Sequence, residues 1–275
     1  MPAYWFSIAV VLFVVIFQKL TTGTNSVTIL PKDFVSTSAT LTLLTYPFST
    51  FPTINWVYWS LTYELFFYLI VTLSLCFSKY FRLPFLLFIS ILALVIPVVQ
   101  QGPLFFLNQW PAFVLGVGVY LLYNKQDFKQ IFFAILLIAI SFITLTKNFF
   151  WSGQIAYCIA AIIATLLIML SHHIKIKNNP FSKLGDYSYA VYLIHVPVGC
   201  YLIGAFKNPA IQKNIFLNIS FDLFTYILIS CLSFLIFEYI ESPCIQAGKL
   251  FSKKYFTNTK SNKKSILIPI DTIPH

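Results

Sequence analysis

The chain has 275 residues, of which 59% are hydrophobic and 9% charged, whereas about 25% of the residues in a soluble domain are charged. This composition excludes an ordinary water-soluble domain and predicts an integral membrane protein. The formal net charge of +10 owes much to lysines after the last apolar segment, where cations usually orient the chain and attract anionic lipid. We therefore expect membrane lipid as a partner and no nucleic acid.

Apolar segments follow one another along the chain, each close to the length of about 20 residues that crosses a bilayer core. The eight predicted spans are Tyr4–Leu20, Trp56–Phe77, Leu83–Val99, Leu104–Tyr123, Ile131–Thr146, Gln154–Ser171, Tyr187–Phe206 and Phe216–Tyr239. The first and the fifth are short, which predicts a tilted or partly re-entrant helix at each. The alternation typical of membrane β-strands is missing, so the predicted fold class is an all-α, polytopic helical bundle.

The basic residues predict the orientation of this bundle, because cytoplasmic loops carry an excess of Lys and Arg. With both termini in the cytoplasm, thirteen of the 18 Lys and Arg residues fall on the cytoplasmic side and five on the other side. We therefore predict a transmembrane domain over residues 1–246, with both ends inside, and a basic cytoplasmic tail over residues 247–275.

The segment Thr21–Asn55 is the one long predicted connection. Connections of this length are usually either functional or disordered. Its aromatic residues, among them Phe34, Tyr46 and Phe48, make it apolar enough to fold back onto the membrane surface as a lid. It also leads directly into the span that contains Glu64.

Three ionisable residues are predicted inside spans, where they are costly and point to function by default. They are Glu64, His195 and Asp222. Each has polar neighbours at helical spacing, and such stripes are expected to face the bundle interior. The stripes comprise Ser60, Glu64 and Tyr68; Ser188, Tyr192 and His195; and Asp222, Tyr226, Ser230 and Ser233. The alternative is that these groups satisfy one another and only fix helix packing, which we favour for Asp222.

Other patterns predict packing rather than chemistry. The five cysteines fall singly, without C-x-x-C spacing, so we expect neither a disulfide framework nor a metal site. Gly116 and Gly118 in FVLGVGVY are predicted to be packing glycines, because no strand precedes them as one would in a phosphate-binding loop.

Four stretches of the sequence indicate a family, and two of them are long motifs. WSLTYELFFYL, which begins at Trp59, resembles the W-S-L-x-x-E-x-x-F-Y motif of the acyltransferase 3 family of membrane O-acyltransferases. LGDYSYAVYLIHVPV, which begins at Leu184, is similar to that family's L-G-x-x-S-Y-x-x-Y-L-x-H segment. PAYWFSIAV and FEYIESP resemble its P-x-Y-W span and its closing E-x-P. The resemblance therefore covers Pro2 to Pro243 in matching order.

The resemblance implies an enzyme of the cell membrane, typical of bacteria, that has no bound cofactor. Such an enzyme transfers an acyl group, often acetyl, from acyl-CoA to a hydroxyl of a cell-surface polysaccharide or related glycan. Glu64 and His195 are implied as catalytic residues. The residues implied in substrate binding are Trp59, Ser60, Tyr63, Tyr68 and Tyr192. Family members carry two further helices, with a histidine base, before the P-x-Y-W span, so the chain is expected to be N-terminally incomplete.

Other readings stay open. Ionisable groups near the midplane also mark transport pathways, which would make the protein a transporter or flippase. The expected loss of the base-bearing helix would make it an inactive remnant or an accessory membrane protein. A membrane-bound O-acyltransferase of the other large class would use His195 as its intramembrane histidine.

Overall fold

The computed structural model describes residues 2–22, 30–124, 127–150, 155–174, 180–251 and 253. Over these residues the chain is helical with connecting turns and no strand, which confirms the all-α class. Six of the described helices are long and apolar enough to cross a membrane. They are Pro2–Thr21, Tyr58–Cys76, Phe128–Phe149, Ile155–His173, Ser188–Phe206 and Ile215–Phe251. The number of eight spans and the placement of both termini inside stay predictions.

The α-helices are α1 (Pro2–Thr22), α2 (Phe34–Leu41), α3 (Tyr58–Cys76), α4 (Lys79–Val95), α5 (Trp110–Asn124), α6 (Phe128–Leu145), α7 (Ile155–His173), α8 (Pro180–Asp186), α9 (Ser188–Ile194), α10 (Pro209–Lys213) and α11 (Ile215–Ile236). Segments of π-helix occupy Thr146–Phe150, His195–Ile203 and Phe237–Glu241. Short 3₁₀ turns occupy Phe105–Asn108 and Gly204–Phe206.

The chain divides into two compact units. The central unit is Ser26–Asn179, and the terminal unit combines Met1–Asn25 with Pro180–His275. The central unit holds α2 to α7, and the terminal unit holds α1 and α8 to α11. The predicted boundary between a domain and a tail at residue 246 stays a prediction.

Successive long helices of the central unit run in opposite directions, as contacts at their ends show. At one end, the Tyr123 ring at the end of α5 lies 4.1 Å from the His172 ring at the end of α7. At the other end, the Lys147 amine donates to the carbonyls of Leu94 and Ile96, where α4 finishes. A cation at a helix C-terminus satisfies carbonyls that lack an intrahelical partner.

Four of the predicted spans have other bounds in the structure. The first and fifth spans belong to helices of 20 and 22 residues, Pro2–Thr21 and Phe128–Phe149, because polar residues such as Thr21 and Lys147 extend them beyond the apolar run. The third span is α4, which ends before Pro97 because the residue that precedes a proline disfavours the α conformation. The fourth begins only at Trp110, since Pro111 suits the start of a helix, and the residues before it form a connection.

The core of the central unit positions this connection. The Trp110 indole donates to the Ser90 hydroxyl at 3.0 Å, and both residues are buried. Phe105 is fully buried and makes edge contacts with Phe66 and Tyr63 on α3, with ring centroids 4.9 and 4.7 Å apart. The 3₁₀ turn before α5 is therefore packed directly against the first half of α3.

Candidate active site

The first two turns of α3 carry the acyltransferase-like motif and begin beside the connection from α2. Thr62 is buried, and its hydroxyl donates to the Leu43 carbonyl of that connection at 3.2 Å. Phe48 packs near Phe66 with ring centroids 5.3 Å apart. The described part of the long connection is thus packed against α3, while its role as a lid stays a prediction. Phe34, by contrast, is 85% exposed.

A pocket of about 330 Å³ opens beside these turns, within the central unit. Two of its walls come from the motif: Trp59 and Tyr63, whose rings meet edge to face at 5.8 Å. The described residues that complete it are Tyr46, Gln100, Asn108, Gln109, Phe149 and Tyr157. They come from helix ends and connections on the side that the basic residues predict to be extracytoplasmic.

Asn108 places an unsatisfied polar group at this pocket. Its side chain faces the Tyr63 hydroxyl, but its amide oxygen is buried and accepts no hydrogen bond within the described part of the chain. A buried amide oxygen without a donor costs about 1–3 kcal/mol. The oxygen itself is shielded from solvent, so a ligand hydroxyl reaches it only when the Asn108 amide turns toward the pocket.

Glu64 lies on α3 about 9 Å from the helix start at Tyr58, from a rise of about 1.5 Å per residue. The Tyr68 hydroxyl donates to its Oε1 at 2.8 Å, one turn further on. Glu64 is half-buried and is not among the residues that line the pocket. Tyr68 is 56% exposed, so the prediction that this stripe faces the interior is wrong for Tyr68. Its hydroxyl is satisfied on its own helix, which makes exposure to lipid tolerable.

His195 lies in the terminal unit, where α9 passes into the π-helix His195–Ile203. Its Nδ1 lies 2.8 Å from the carbonyl oxygen of Tyr192. A carbonyl oxygen only accepts, so Nδ1 is the donor in this contact. π-helical turns are rare and occur frequently at functional sites.

Asp222 does not face the interior of the terminal unit, contrary to the prediction. Its side chain is 62% exposed, and its Oδ1 pairs with the Lys207 amine at 2.7 Å. Lys207 follows the span Ser188–Phe206 directly. The charge of Asp222 is therefore compensated by an ion pair close to the end of this span, and the side chain is not buried. Tyr226 of the same stripe is also exposed at 56%, whereas Ser233 is buried.

The structure thus brings together only part of the predicted site. Trp59 and Tyr63 share the pocket, and Glu64 pairs with Tyr68 on the same helix. The Ser60 hydroxyl donates to the Val57 carbonyl at 3.2 Å, in the first turn of the helix. Tyr192 belongs to the terminal unit, with its ring centroid 5.8 Å from that of His195. The binding and catalytic roles of all these residues stay predictions.

Six of the eight pocket residues are absent from the predicted site. Asn108 and Gln109 were assigned to the interior of a span, although a polar pair followed by a Trp-Pro step is a signal for a connection before a helix. Tyr46, Gln100, Phe149 and Tyr157 carry no local signal for a site, because they meet only when four separate segments of the chain pack together.

The comparison with protein-family models is decisive for the family. A model described as an acyltransferase domain matches residues 2–238, most of the chain. The chain belongs to the acyltransferase 3 family. No curated protein and no solved structure matches this family member. The match supports a multi-pass membrane acyltransferase, in agreement with the helical bundle and with the motif on α3.

Proposed function

We propose that this acyltransferase 3 protein transfers an acyl group, acetyl in the simplest case, from acyl-CoA to a hydroxyl of a cell-surface polysaccharide or related glycan. The observation that carries the proposal is the placement of the family motif on α3. The same two turns supply a pocket wall, Trp59 and Tyr63, and a carboxylate–phenol pair, Glu64 and Tyr68. The membrane proposed for this reaction is the plasma membrane, the inner membrane in a bacterium with two.

In this reaction the acceptor hydroxyl oxygen attacks the thioester carbon. A carbon–oxygen bond forms, the carbon–sulfur bond breaks, and the hydroxyl proton passes to a base and then to the departing CoA thiolate. We assign Glu64 and His195 as catalytic residues. Imidazole is the commonest general acid–base group in enzymes, which supports His195, and a carboxylate such as that of Glu64 stabilises positive charge on a group close to it.

Replacing Glu64 by Gln tests the proposal. In membrane vesicles that contain the full chain, labelled acetyl-CoA and an extract of cell-surface glycan, we expect Glu64→Gln to lower the transfer rate by about 100-fold or more, the scale of acid–base catalysis. The matched control is Glu238→Gln, an exposed glutamate in the π-helix Phe237–Glu241, which should retain the wild-type rate.

Equal rates for Glu64→Gln and wild type would remove Glu64 from the chemistry. Absence of any transfer by the wild-type chain would overturn the proposed function and leave an inactive or accessory membrane protein. Glycan or acyl donor that moves across the membrane without covalent transfer would instead indicate a transporter or flippase.

A further inference from the structure

The residues that line the pocket beside α3 restrict the chemical class of its ligand more than the proposed reaction does. It is lined by five aromatic residues and three amide side chains, and every one of these eight described residues is uncharged at neutral pH. We infer that this pocket binds a neutral sugar ring, the acceptor, and does not bind the CoA donor. The inference rests on the proposed function in taking the sugar to be the acyl acceptor.

The described lining offers no cationic side chain to a phosphate-bearing ligand. Phosphate groups are bound by Arg, Lys or backbone amides at helix N-termini, because their charge must be compensated when water is removed. The nearest lysine along the chain to this lining is Lys147, and its amine already donates to the end of α4 at Leu94 and Ile96. CoA carries several phosphates, so a site that contains Arg or Lys suits the donor better than this pocket does.

The aromatic residues suit a ring that has one apolar face. A pyranose presents axial C–H groups on its face and hydroxyls around its edge, and aromatic rings bury such a face without having to satisfy a polar group. Trp59 is half-buried and Tyr157 is 47% exposed, so both rings have surface left for contact with a ligand.

The amide residues suit the hydroxyl edge of the same ring. Each amide offers both donors and an acceptor, which matches a hydroxyl that both donates and accepts. Gln100, Asn108 and Gln109 supply three such groups, and the buried Asn108 oxygen is still without a donor in the described chain. The volume of about 330 Å³ is at the low end of the range of about 300–1,000 Å³ for small-molecule sites, which fits a single ring unit better than a long oligosaccharide.

The place of the pocket agrees with this ligand. Its residues come from helix ends and connections at the end of the central unit opposite Lys79, Arg82 and Lys129, described cations of that unit that predict the cytoplasmic side. A glycan acceptor reaches that outer end from outside the cell, whereas acyl-CoA is made inside it.

The test is a binding measurement that needs no acyl transfer. The full chain is placed in phospholipid nanodiscs, free of sugar-based detergent, and saturation-transfer NMR is recorded with glucose and with N-acetylglucosamine at about 10 mM, enough to populate a site with a Kd near 1 mM. We expect signal on the ring C–H protons that Trp59→Ala abolishes. We expect Asn108→Ala to weaken binding by about tenfold, the effect of one hydrogen bond.

Two controls keep the result specific. Tyr80→Ala removes an exposed aromatic ring at the opposite end of the central unit and should leave the signal unchanged. Coenzyme A should fail to displace either sugar. Gln100→Ala, at an exposed position, provides a pocket variant that does not disturb the core and should also weaken binding.

The outcomes separate this inference from the proposed function. No signal from either sugar, an unchanged signal in Trp59→Ala and Gln100→Ala, or displacement by coenzyme A would each overturn the sugar pocket. Acyl transfer that continues at the wild-type rate in Asn108→Ala and Gln100→Ala would also overturn it while the proposed function stands. Sugar binding by a chain that transfers no acyl group would support the pocket and overturn the function.

Discussion

Gly118 shows how one residue decides the distance between two membrane helices. A β-carbon at Gly118 would lie 2.5 Å from Cγ1 of Ile138 on α6 and 3.3 Å from the Ala134 carbonyl oxygen. Ile138 is β-branched and stiff at χ1, so it cannot move away cheaply. Small residues allow this approach between helices in a bilayer. The sequence pattern predicts packing glycines here, but it does not distinguish Gly118 from Gly116.

We expect Gly118→Ala to destabilise the protein by about 1–3 kcal/mol, the cost of overpacking a core position. A β-carbon at Gly116 meets nothing within 4 Å, so Gly116→Ala is the matched control and should not lower stability. Thermal unfolding of the purified protein in micelles measures both. Ile138→Ala should restore part of the loss in the Gly118→Ala background, and equal midpoints for the two glycine variants would contradict the clash.

The Glu64–Tyr68 pair illustrates another limit at the scale of residues. The spacing of four residues predicts that the two side chains meet, and the 2.8 Å hydrogen bond shows that they do. The spacing does not predict that Tyr68 would be exposed, because exposure depends on which face of α3 its neighbours cover. The Glu64 carboxylate therefore receives this hydrogen bond from its own helix, whichever face of α3 is covered by neighbours.

Among the elements, α2 begins with a complete capping box. Oδ1 of Asp33 accepts from the Ser36 amide at 2.6 Å, and the Ser36 hydroxyl accepts from the Asp33 amide at 3.3 Å. The hydrogen bond from the Ser36 backbone holds the pKa of Asp33 below its usual value of 3.8. A lowered folded-state pKa stabilises the folded state above the unfolded-state pKa and loses that effect as the pH falls through the folded value.

This cap predicts that α2 loosens in acid below about pH 4, where unfolded Asp protonates. Hydrogen exchange of the peptide that covers Phe34–Leu41, corrected for the intrinsic rate, should accelerate several-fold at pH 3 relative to pH 6. Asp33→Asn keeps a good capping side chain without a titrating group, so it should remove the pH dependence while α2 stays protected. Acceleration of the same size in Asp33→Asn would assign the effect to another group.

The π-helix His195–Ile203 is an element that the pattern of apolar residues does not predict. A run such as IHVPVGCYLI reads as a continuous span, yet the backbone changes from α to π at His195. Pro197 lacks an amide hydrogen and contributes to the irregular hydrogen bonding there.

The sequence places Lys147 among the five basic residues on the extracytoplasmic side. In the structure its amine caps the C-terminus of α4, so this lysine has a structural role that is independent of topology.

At the scale of the whole molecule, the basic residues at the helix ends of the central unit are distributed unequally between its two ends. Lys79, Arg82 and Lys129 lie at one end with Tyr123 and His172, and Lys147 lies at the other end. If Lys147 is required by its cap, the cations free to set topology favour the first end even more strongly. The positive-inside rule then predicts that the pocket beside α3 is extracytoplasmic.

We expect cysteine labelling to confirm this orientation. In a background where the exposed cysteines Cys76, Cys200, Cys231 and Cys244 are replaced by alanine, a cysteine at the exposed Thr50 position should react with a membrane-impermeant maleimide in intact cells. A cysteine at Lys129 should react only after the membrane is opened. The reverse pattern would invert the topology and place the pocket on the cytoplasmic side.

The amino-acid sequence by itself determined that this protein is an all-α membrane protein of the acyltransferase 3 family. Composition, apolar length and two contiguous motifs are local properties, and each is complete within one segment. Only the tertiary structure decided that Asp222 is paired and exposed, that the connection before α5 is buried against α3, and that Trp59 and Tyr63 share a pocket with Tyr46, Gln100, Asn108 and Tyr157. The physical reason is that exposure and pocket walls depend on contacts between segments far apart in the chain, and side-chain spacing along one helix carries no record of those contacts.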